Sequence, residues 1–315
     1  MKDYLRIIRP VNLLFLVVLL GLMEKYVVHG VMSRYQLTEP IAWWVLLLII
    51  LAVVCIAAGG YVINDYFDVK IDAINHPDRL IVTRGISKRN TMLLFQCLTV
   101  AGIASGVVVA VVLKSMALGT TFVLTPGILW FYSASYKRQF LIGNLTVAFL
   151  AGLTPLLIGF ACDAAIANDF GQDSMLGQYL INRIYIWTAG FGLFAFLCTW
   201  AREIIKDIED QEGDREMECH TLPVKYGNLV SQIVVTVLLL GIMTLLVWVM
   251  TVLPGGFNLH ATACKYILGL ELAFTACIVL LWMSRLPQDF RRVQLCVKVI
   301  MLAGTLFAFC VPGIL

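Results

Sequence analysis

Long apolar segments alternate with short polar segments along the entire chain. Nine of the apolar segments are long enough to form a membrane-spanning helix, which needs about 20 mostly apolar residues. The predicted spans are 11–31, 41–62, 91–113, 116–133, 145–167, 184–201, 229–252, 266–283 and 294–313. The pattern therefore predicts an all-α polytopic membrane protein, in which residues 1–315 form a single domain of nine transmembrane helices.

The composition supports this assignment, because 60% of the residues are hydrophobic and only 14% are charged. Such a balance excludes an ordinary soluble enzyme. Basic residues precede the first apolar segment without a small-residue cleavage site, so we expect a retained first helix and no signal peptide. The nine cysteines show no paired spacing, and we expect them to be small buried hydrophobic residues.

Basic residues are distributed unevenly between the two sides of the predicted protein. Of the 23 Lys and Arg residues, 18 fall on the side that carries the N-terminus. Loops rich in Lys and Arg stay in the cytoplasm. We therefore predict a multi-pass protein of the cell (cytoplasmic) membrane with a cytoplasmic N-terminus. On the opposite side, we expect a polar connector at 168–182 and a turn at 254–260.

Two short acidic clusters interrupt the apolar pattern. Residues 65–78 contain four Asp or Glu and residues 203–218 contain eight, which together make up 12 of the 20 acidic residues. Carboxylates at this density are costly near lipid unless they bind something. The clusters follow the second and the sixth spans, and each leads into a Pro-containing segment that can fold back as a cytoplasmic cap. We interpret them as one active site with an internally duplicated origin.

Helical periodicity aligns the acidic side chains of each cluster. If the second helix continues through residue 72, the polar residues of the first cluster recur at spacings of three and four and share one face. The second cluster has the same periodicity, so two helices can direct two stripes of carboxylates into one central cavity. The aligned residues are Asn64, Asp65, Asp68 and Asp72, and Asp207, Asp210 and Asp214.

Carboxylates gathered in one cavity repel one another unless divalent cations lie between them. All-oxygen ligands favour Mg²⁺ or Mn²⁺ over Zn²⁺. Magnesium usually takes one or two carboxylates and completes its shell with water and phosphate oxygens. The clusters therefore predict a metal-bridged phosphorylated ligand, and a diphosphate is the simplest candidate.

Basic residues near both clusters are placed to bind a diphosphate and to stabilise the charge that develops as it departs. The positive-inside bias alone is the competing interpretation, and we prefer it for Arg89, Arg291 and Arg292. The diphosphate candidates are Arg79, Arg84, Lys88, Lys137, Arg138, Arg202 and Lys206.

A diphosphate site within a membrane suggests an isoprenoid substrate whose tail lies in a lipid-like tunnel. Ionisation of such a substrate leaves an allylic cation, which an aromatic face stabilises by roughly 0.5–2 kcal/mol. Packing or an interfacial belt is the competing explanation for any single aromatic residue. The candidates near the relevant helix ends are Tyr61, Tyr66, Phe67, Trp130, Phe131, Tyr132 and Tyr136.

The motifs Asn64-Asp-x-x-Asp68-x-x-x-Asp72 and Asp207-x-x-Asp210-x-x-x-Asp214 resemble the two signature motifs of the UbiA superfamily of intramembrane prenyltransferases. The segments Arg9-Pro10-Val11-Asn12 and Tyr136-Lys137-Arg138 extend the resemblance. It implies Mg²⁺-dependent transfer of a prenyl group from a prenyl diphosphate to an acceptor. It also implies one metal on Asn64, Asp68 and Asp72, a second metal on Asp207, Asp210 and Asp214, and a diphosphate held by Arg79, Lys137 and Arg138.

Within the superfamily, the segment from Arg202 to Asp214 is most similar to the geranylgeranylglyceryl phosphate geranylgeranyltransferases, or digeranylgeranylglyceryl phosphate synthases. These enzymes act on a phospholipid precursor. Their usual Arg-Pro-Ile-Pro-Ser-Gly segment here reads Arg79-Leu80-Ile81-Val82-Thr83-Arg84-Gly85. Arg84 either binds a second anionic group of the acceptor or faces solvent, and the sequence leaves both interpretations open.

Two other functions are compatible with the sequence. One is prenylation of an aromatic acceptor in quinone or pigment synthesis, and the other is a cation transporter whose carboxylates line a pathway. The predicted partners are a prenyl diphosphate donor, a hydrophobic or phospholipid-precursor acceptor and the lipid bilayer. No segment indicates nucleic-acid binding or an obligate protein partner.

Overall fold

The computed structural model describes residues 2–75, 80–171, 173–252 and 261–314. These residues are mostly helical, and the one β interaction among them is an isolated bridge between Val82 and Ile86. The principal helices are α1 Lys2–Ile7, α2 Pro10–Ser33, α3 Trp43–Phe67, α4 Val69–Asn75, α5 Lys88–Val112, α6 Met116–Ala134, α7 Ile142–Phe170, α8 Met175–Glu209, α9 Gln211–Glu216, α10 Leu222–Val252, α11 Ala261–Met283 and α12 Pro287–Leu306.

Across the described ranges, nine helices are long and apolar enough to cross a membrane, which confirms the predicted number and the all-α class. They are α2, α3, α5, α6, α7, α8, α10, α11 and α12. Most of them extend beyond the predicted spans. Apolar composition marks the hydrocarbon core, whereas the helices continue into the polar regions on either side.

The connector predicted at 168–182 is shorter than expected. Helix α7 continues to Phe170 and α8 already begins at Met175. The Ser174 side chain caps α8 by accepting a hydrogen bond from the backbone N–H of Gly177 at 3.2 Å. A cap of this kind starts a helix before its apolar stripe begins, so the polar composition of the segment was misleading. The turn predicted at 254–260 lies outside the described residues.

The second span does not continue as one helix through residue 72, as the sequence analysis assumed. Helix α3 ends at Phe67, and Asp68 has φ −85° and ψ 0° before α4 begins at Val69. The second cluster repeats this geometry, because α8 ends at Glu209 and Asp210 has φ −92° and ψ 6°. Each acidic cluster therefore contains a helix break at its central aspartate.

Backbone hydrogen bonds bridge both breaks. The N–H of Asp72 donates to the C=O of Asp68 at 2.8 Å, and the N–H of Asp214 donates to the C=O of Asp210 at 3.1 Å. The spacing of one helical turn thus survives although the helix axis is interrupted.

The longest helix, α8, lies at the centre of the bundle and packs against α7, α10 and α12. Its buried residues, including Ile204, Ile205 and Ile208, form a core with Phe274 and Val293 of the last two helices. Large apolar side chains on the outside of the bundle are exposed, as a lipid-facing surface requires. The central position of α8 brings its acidic C-terminal end close to several other helices.

Candidate active site

The two acidic clusters meet at one end of the helix bundle. The charge on Asp72 of the first cluster interacts with that of Asp210 in the second, and the charge on Asp214 interacts with that of Asp68. The short helices α4 and α9 that carry the ends of the clusters pack against each other. The structure therefore brings the two stripes of carboxylates into one site.

Asn75, at the end of α4, joins the two clusters directly. Its amide nitrogen donates a hydrogen bond to the backbone C=O of Asp210 at 3.1 Å, and its amide oxygen accepts one from the N–H of Gly213 at 2.9 Å. A Cβ at Gly213 would lie 2.6 Å from the Asn75 amide atoms. Glycine is required at residue 213 because the side chain of Asn75 occupies that space.

The first cluster is held by side chains from three other segments. Arg9 donates to Asp65 at 2.7 Å, Asn64 donates to Asp68 at 2.7 Å, and Lys137 forms an ion pair with Asp68. The amide oxygen Oδ1 of Asn64 is buried and has no hydrogen-bond partner in the described part of the chain. An unpaired buried oxygen is costly, which indicates that this atom receives a ligand.

The second cluster is supported by two polar side chains from neighbouring helices. Asn144 of α7 is buried and donates to Asp207 at 2.8 Å. Thr221, just before α10, donates its hydroxyl hydrogen bond to Asp214 at 3.3 Å. These contacts fix the carboxylates at the two ends of the cluster and leave Asp210 at the helix break between them.

The last acid of each cluster, Asp72 or Asp214, has a higher pKa than a free carboxyl. Burial raises the pKa of Asp72 to about 6, and the charges of Asp68 and Asp65 add to the effect. Burial likewise raises the pKa of Asp214 to about 6, with a further contribution from Asp210. The site therefore holds more negative charge than its own surroundings compensate, which favours a bound cation.

Two lysines supply positive charge inside the site. Lys206 interacts with Asp72, Asp214 and Lys137, so it lies between the clusters. Burial lowers the pKa of Lys137, while its contact with Asp68 acts in the opposite direction. Both residues were predicted as diphosphate ligands, and the structure places both beside the carboxylates.

The remaining predicted diphosphate ligands have different positions. Arg138 follows Lys137 in a short 3₁₀ turn, where its backbone C=O accepts a hydrogen bond from the N–H of His220 at 2.8 Å and its side chain is exposed. Arg84 is exposed between Val82 and Ile86. Arg79 lies outside the described residues.

The predicted aromatic residues divide into two groups. Tyr132 lies among the charges of Glu203, Lys206 and Asp68, and the ring of Tyr61 lies under the Arg9 guanidinium at 4.9 Å. In contrast, Phe67 packs edge-on against neighbouring aromatic rings, and Tyr136 stacks on a ring at 6.1 Å. The first group borders the acidic site, whereas the second contacts other aromatic side chains. The partners of Phe67 are Tyr66 and Trp130, and the partner of Tyr136 is Phe131.

Several supporting residues were not predicted as part of the site. Asn75 and Thr221 were noticed only as parts of loop segments, and Arg9 only as part of the resemblance. Asn144 and Glu203 were not singled out as site residues. No signal in the sequence pointed to Asn144, because it lies one residue before the predicted span 145–167 and its burial is seen only in the structure.

The donor set fits magnesium. The side chains offer only oxygen ligands and include the unpaired Asn64 Oδ1. Within the described ranges, no group of three or more His, Cys, Asp or Glu side chains is arranged to hold a metal ion by itself. Magnesium commonly binds through one or two carboxylates plus water and phosphate oxygens, so an open arrangement of this kind suits an ion that arrives with a phosphorylated substrate.

Comparison with known proteins gives one consistent result. The model of the UbiA prenyltransferase family matches residues 31–297. Digeranylgeranylglyceryl phosphate synthase of Methanopyrus kandleri is 34% identical over 246 residues, which cover 78% of this chain and 77% of the relative. The synthase of Methanothermobacter thermautotrophicus is 32% identical over 235 residues, covering 73% of this chain and 69% of the relative.

Solved structures share the fold. A structure from work on digeranylgeranylglyceryl phosphate synthase in membranes has a TM-score of 0.60 and 26% identity, covering 99% of this chain and 98% of that one. A UbiA homologue from Archaeoglobus fulgidus bound to GPP and Mg²⁺ has a TM-score of 0.59 and 16% identity, covering 97% of this chain and 99% of that one. The second likeness concerns the fold alone.

Proposed function

The chain belongs to the UbiA prenyltransferase family and is a multi-pass membrane enzyme, and from that premise we propose its substrates. The donor is geranylgeranyl diphosphate, and the acceptor is geranylgeranylglyceryl phosphate. The reaction forms an ether bond between the acceptor hydroxyl oxygen and C1 of the prenyl group, breaks the bond from C1 to the diphosphate oxygen, and releases diphosphate and the hydroxyl proton. The relatives named digeranylgeranylglyceryl phosphate synthase support this choice of acceptor.

The observation that carries the proposal is the convergence of two acidic clusters with buried lysines at one end of a membrane bundle. The carboxylates of Asp72 and Asp214 interact with the opposite cluster, and Lys206 lies between them. Such a site suits a diphosphate whose negative charge is shared between cations. The apolar interior of the bundle then suits the isoprenoid tail.

Magnesium is the proposed cofactor: the two acidic clusters would hold the ions, which would supply positive charge to the diphosphate. The Mg²⁺ bound by the Archaeoglobus fulgidus homologue supports this assignment. The proposed metal ligands are Asn64, Asp65, Asp68, Asp72, Asp207, Asp210 and Asp214.

The remaining roles fall to residues that surround the clusters. Lys137 and Lys206 bind the diphosphate and stabilise its developing charge, which is the most effective use of a preorganised cation. Arg84 and Arg138 are proposed to contribute from the surrounding segments, and Arg79, which lies outside the described residues, is proposed as a further diphosphate ligand. The ring of Tyr132 lies beside Lys206 and Asp68, where an aromatic face can stabilise the allylic cation.

The proposed location is the cytoplasmic membrane, with the N-terminus and the site on the cytoplasmic side. The excess of Lys and Arg on that side supports this orientation. Labelling of a single cysteine introduced at exposed Arg138 in sealed vesicles tests it. Reaction only from the lumen of right-side-out vesicles is the expected result, and reaction from outside contradicts the orientation.

Purified protein in detergent tests the reaction with geranylgeranyl diphosphate and two acceptors, geranylgeranylglyceryl phosphate and an aromatic acid. We expect an ether product with the first acceptor, dependent on Mg²⁺ and lost on chelation. Turnover of the aromatic acid alone would overturn the proposal in favour of quinone or pigment synthesis. Product mass distinguishes these results.

A pair of matched variants tests the site itself. Asp68→Asn neutralises a buried member of the first cluster, whereas Asp169→Asn neutralises an exposed aspartate at the far end of α7. We expect loss of transfer in Asp68→Asn in protein that remains folded, with a melting temperature lowered by loss of the ion pair with Lys137, and normal transfer in Asp169→Asn. Ion flux in liposomes that persists in Asp68→Asn, together with normal transfer, would contradict the assignment.

A further inference from the structure

Two cations on neighbouring helices, Arg202 and Lys298, form a second positively charged group beside the diphosphate site, although Arg202 was counted among the diphosphate candidates. Arg202 lies on α8, seven residues before the end of the helix at Glu209, and Lys298 lies on α12, eleven residues after its start at Pro287. At 1.5 Å per residue these positions are about 10 and 16 Å from the helix ends. Arg202 follows the predicted span 184–201 by one residue and Lys298 is the fifth residue of the predicted span 294–313, so both lie near the end of the bundle that carries the acidic clusters.

The packing of α8 against α12 brings these two cations together. Nearer to the helix ends, Glu209 accepts hydrogen bonds from Arg291 at 2.9 Å and from Gln294 at 2.6 Å. Lys298 follows Gln294 by one helical turn and therefore shares its face. Its charge interacts with that of Arg202. The seam between α8 and α12 therefore carries two positive charges, both further from the ends of these helices than the contacts of Glu209.

The negative charge next to this pair is insufficient. Arg202 forms an ion pair with Glu203, whose side chain is buried. Nevertheless the Nε atom of Arg202 is buried and has no hydrogen-bond partner among the described residues. Lys298 is exposed, and it forms no hydrogen bond or ion pair with the part of the chain that the structure describes. Two cations thus share one carboxylate, which leaves an excess positive charge and an unsatisfied donor.

The other cations that interact with Glu203 already have partners. Arg9 is paired with Asp65 at 2.7 Å, and Lys206 interacts with Asp210 of the second cluster. They therefore do not need Glu203 for compensation, and they also do not supply a counter-charge to Lys298. The unsatisfied part of this network is confined to Arg202 and Lys298.

We propose that Arg202 and Lys298 bind the phosphate group of the acceptor lipid in the seam between α8 and α12. This inference rests on the proposed function, because it assigns the acceptor of that reaction. A phosphate monoester carries up to two negative charges and presents several acceptor oxygens, which suits an arginine fork next to a lysine point charge. An aromatic carboxylate offers less charge and only two oxygens.

The location suits the chemistry of a glycerol phosphate. Arg202 precedes Lys206 by one turn on α8, so an anion bound at Arg202 lies next to the diphosphate site but separate from it. In a glycerol phosphate ether the phosphate and the free hydroxyl are on neighbouring carbons. Binding of the phosphate in the seam therefore presents the hydroxyl toward the reacting end of the donor.

The test measures acceptor and donor kinetics in Lys298→Gln and Arg202→Gln. Loss of a charged hydrogen bond to phosphate corresponds to about tenfold or more in affinity, so the KM for the glycerophosphate acceptor should rise by at least that factor. In Lys298→Gln, the KM for the donor and the slow hydrolysis of donor without acceptor should stay unchanged. Arg292→Gln is the matched control, since Arg292 lies on the same helix and is exposed.

Lys298→Gln is the more informative of the two variants. It breaks no ion pair and so removes charge alone, whereas Arg202→Gln leaves Glu203 unpaired and can destabilise the protein. Melting temperature in detergent separates misfolding from loss of binding. An unchanged acceptor KM in Lys298→Gln, with wild-type transfer to the glycerophosphate lipid established, overturns this inference and leaves the proposed function intact.

An acceptor without the phosphate, geranylgeranylglycerol, identifies the group that is bound. With this acceptor, Lys298→Gln should no longer change the acceptor KM, because the phosphate that the lysine would bind is already absent. The variant and the altered acceptor together form a double-mutant cycle. A tenfold effect that persists, and that requires anionic lipid in the vesicles, would assign the seam to a bilayer headgroup instead. A raised donor KM would assign it to the diphosphate, and either result contradicts the proposal.

Discussion

The contact that joins the two acidic clusters makes a sharp prediction. Asn75 donates to the C=O of Asp210 and accepts from the N–H of Gly213. Asn75→Ala removes both hydrogen bonds, each with a net contribution of about 0.5–1.5 kcal/mol, so stability should fall by about 1–3 kcal/mol. The effect on activity should be larger, because displacement of a reacting group by about 1 Å can cost a hundredfold in rate.

Transfer activity measured across a Mg²⁺ titration separates the two effects. In Asn75→Ala we expect the maximal rate to fall by about tenfold to a hundredfold and the Mg²⁺ concentration at half-maximal rate to rise. Asn168→Ala is the control, since Asn168 donates one hydrogen bond to the C=O of Leu113 at 2.9 Å at the opposite end of the bundle. It should lower the melting temperature without changing the Mg²⁺ dependence.

Gly213→Ala extends the same test. The new Cβ would lie 2.6 Å from the Asn75 amide, so it should displace that side chain and lower activity in the same way. The double variant Asn75→Ala/Gly213→Ala has no clash left and should lose little more than Asn75→Ala alone, as residues in direct contact are not additive. Full additivity, or Mg²⁺ dependence in Asn75→Ala like that of Asn168→Ala, would refute the role of this contact.

Three further predictions follow from the site. The folded-state pKa of Asp72 and Asp214, about 6 in each case, is raised above the ordinary value, so without Mg²⁺ the melting temperature should fall as pH rises from 4 through 6. Mg²⁺ should reverse this loss of stability and should bind more weakly below pH 6. A melting temperature that does not change with pH would contradict the prediction. Asn144→Ala leaves the buried carboxylate of Asp207 without its donor, so transfer should fall by roughly tenfold or more, with Asn144→Gln retaining more activity than Asn144→Ala. Lys137→Met should raise the donor KM by about tenfold and leave the acceptor KM unchanged, and an acceptor effect alone would exclude its diphosphate role.

The sequence was most informative where a physical requirement acts locally. The number of membrane helices followed from the length of each apolar segment, because a span must satisfy its own backbone hydrogen bonds within the bilayer. The helix breaks at Asp68 and Asp210 were not foreseen, since the spacing of three and four is the same in a continuous helix. The early start of α8 was missed because its cap at Ser174 precedes a polar turn.

By itself the sequence determined that this is a membrane protein with two periodic acidic clusters, because composition and spacing along one segment are local properties. Only the tertiary structure decided which segments meet. Asn75 reaches Gly213 across 138 positions of the chain and Asn144 reaches Asp207 across 63, and no local pattern encodes such pairs. The Arg202 and Lys298 pair depends in the same way on the packing of α8 against α12, which places two isolated charges in one seam.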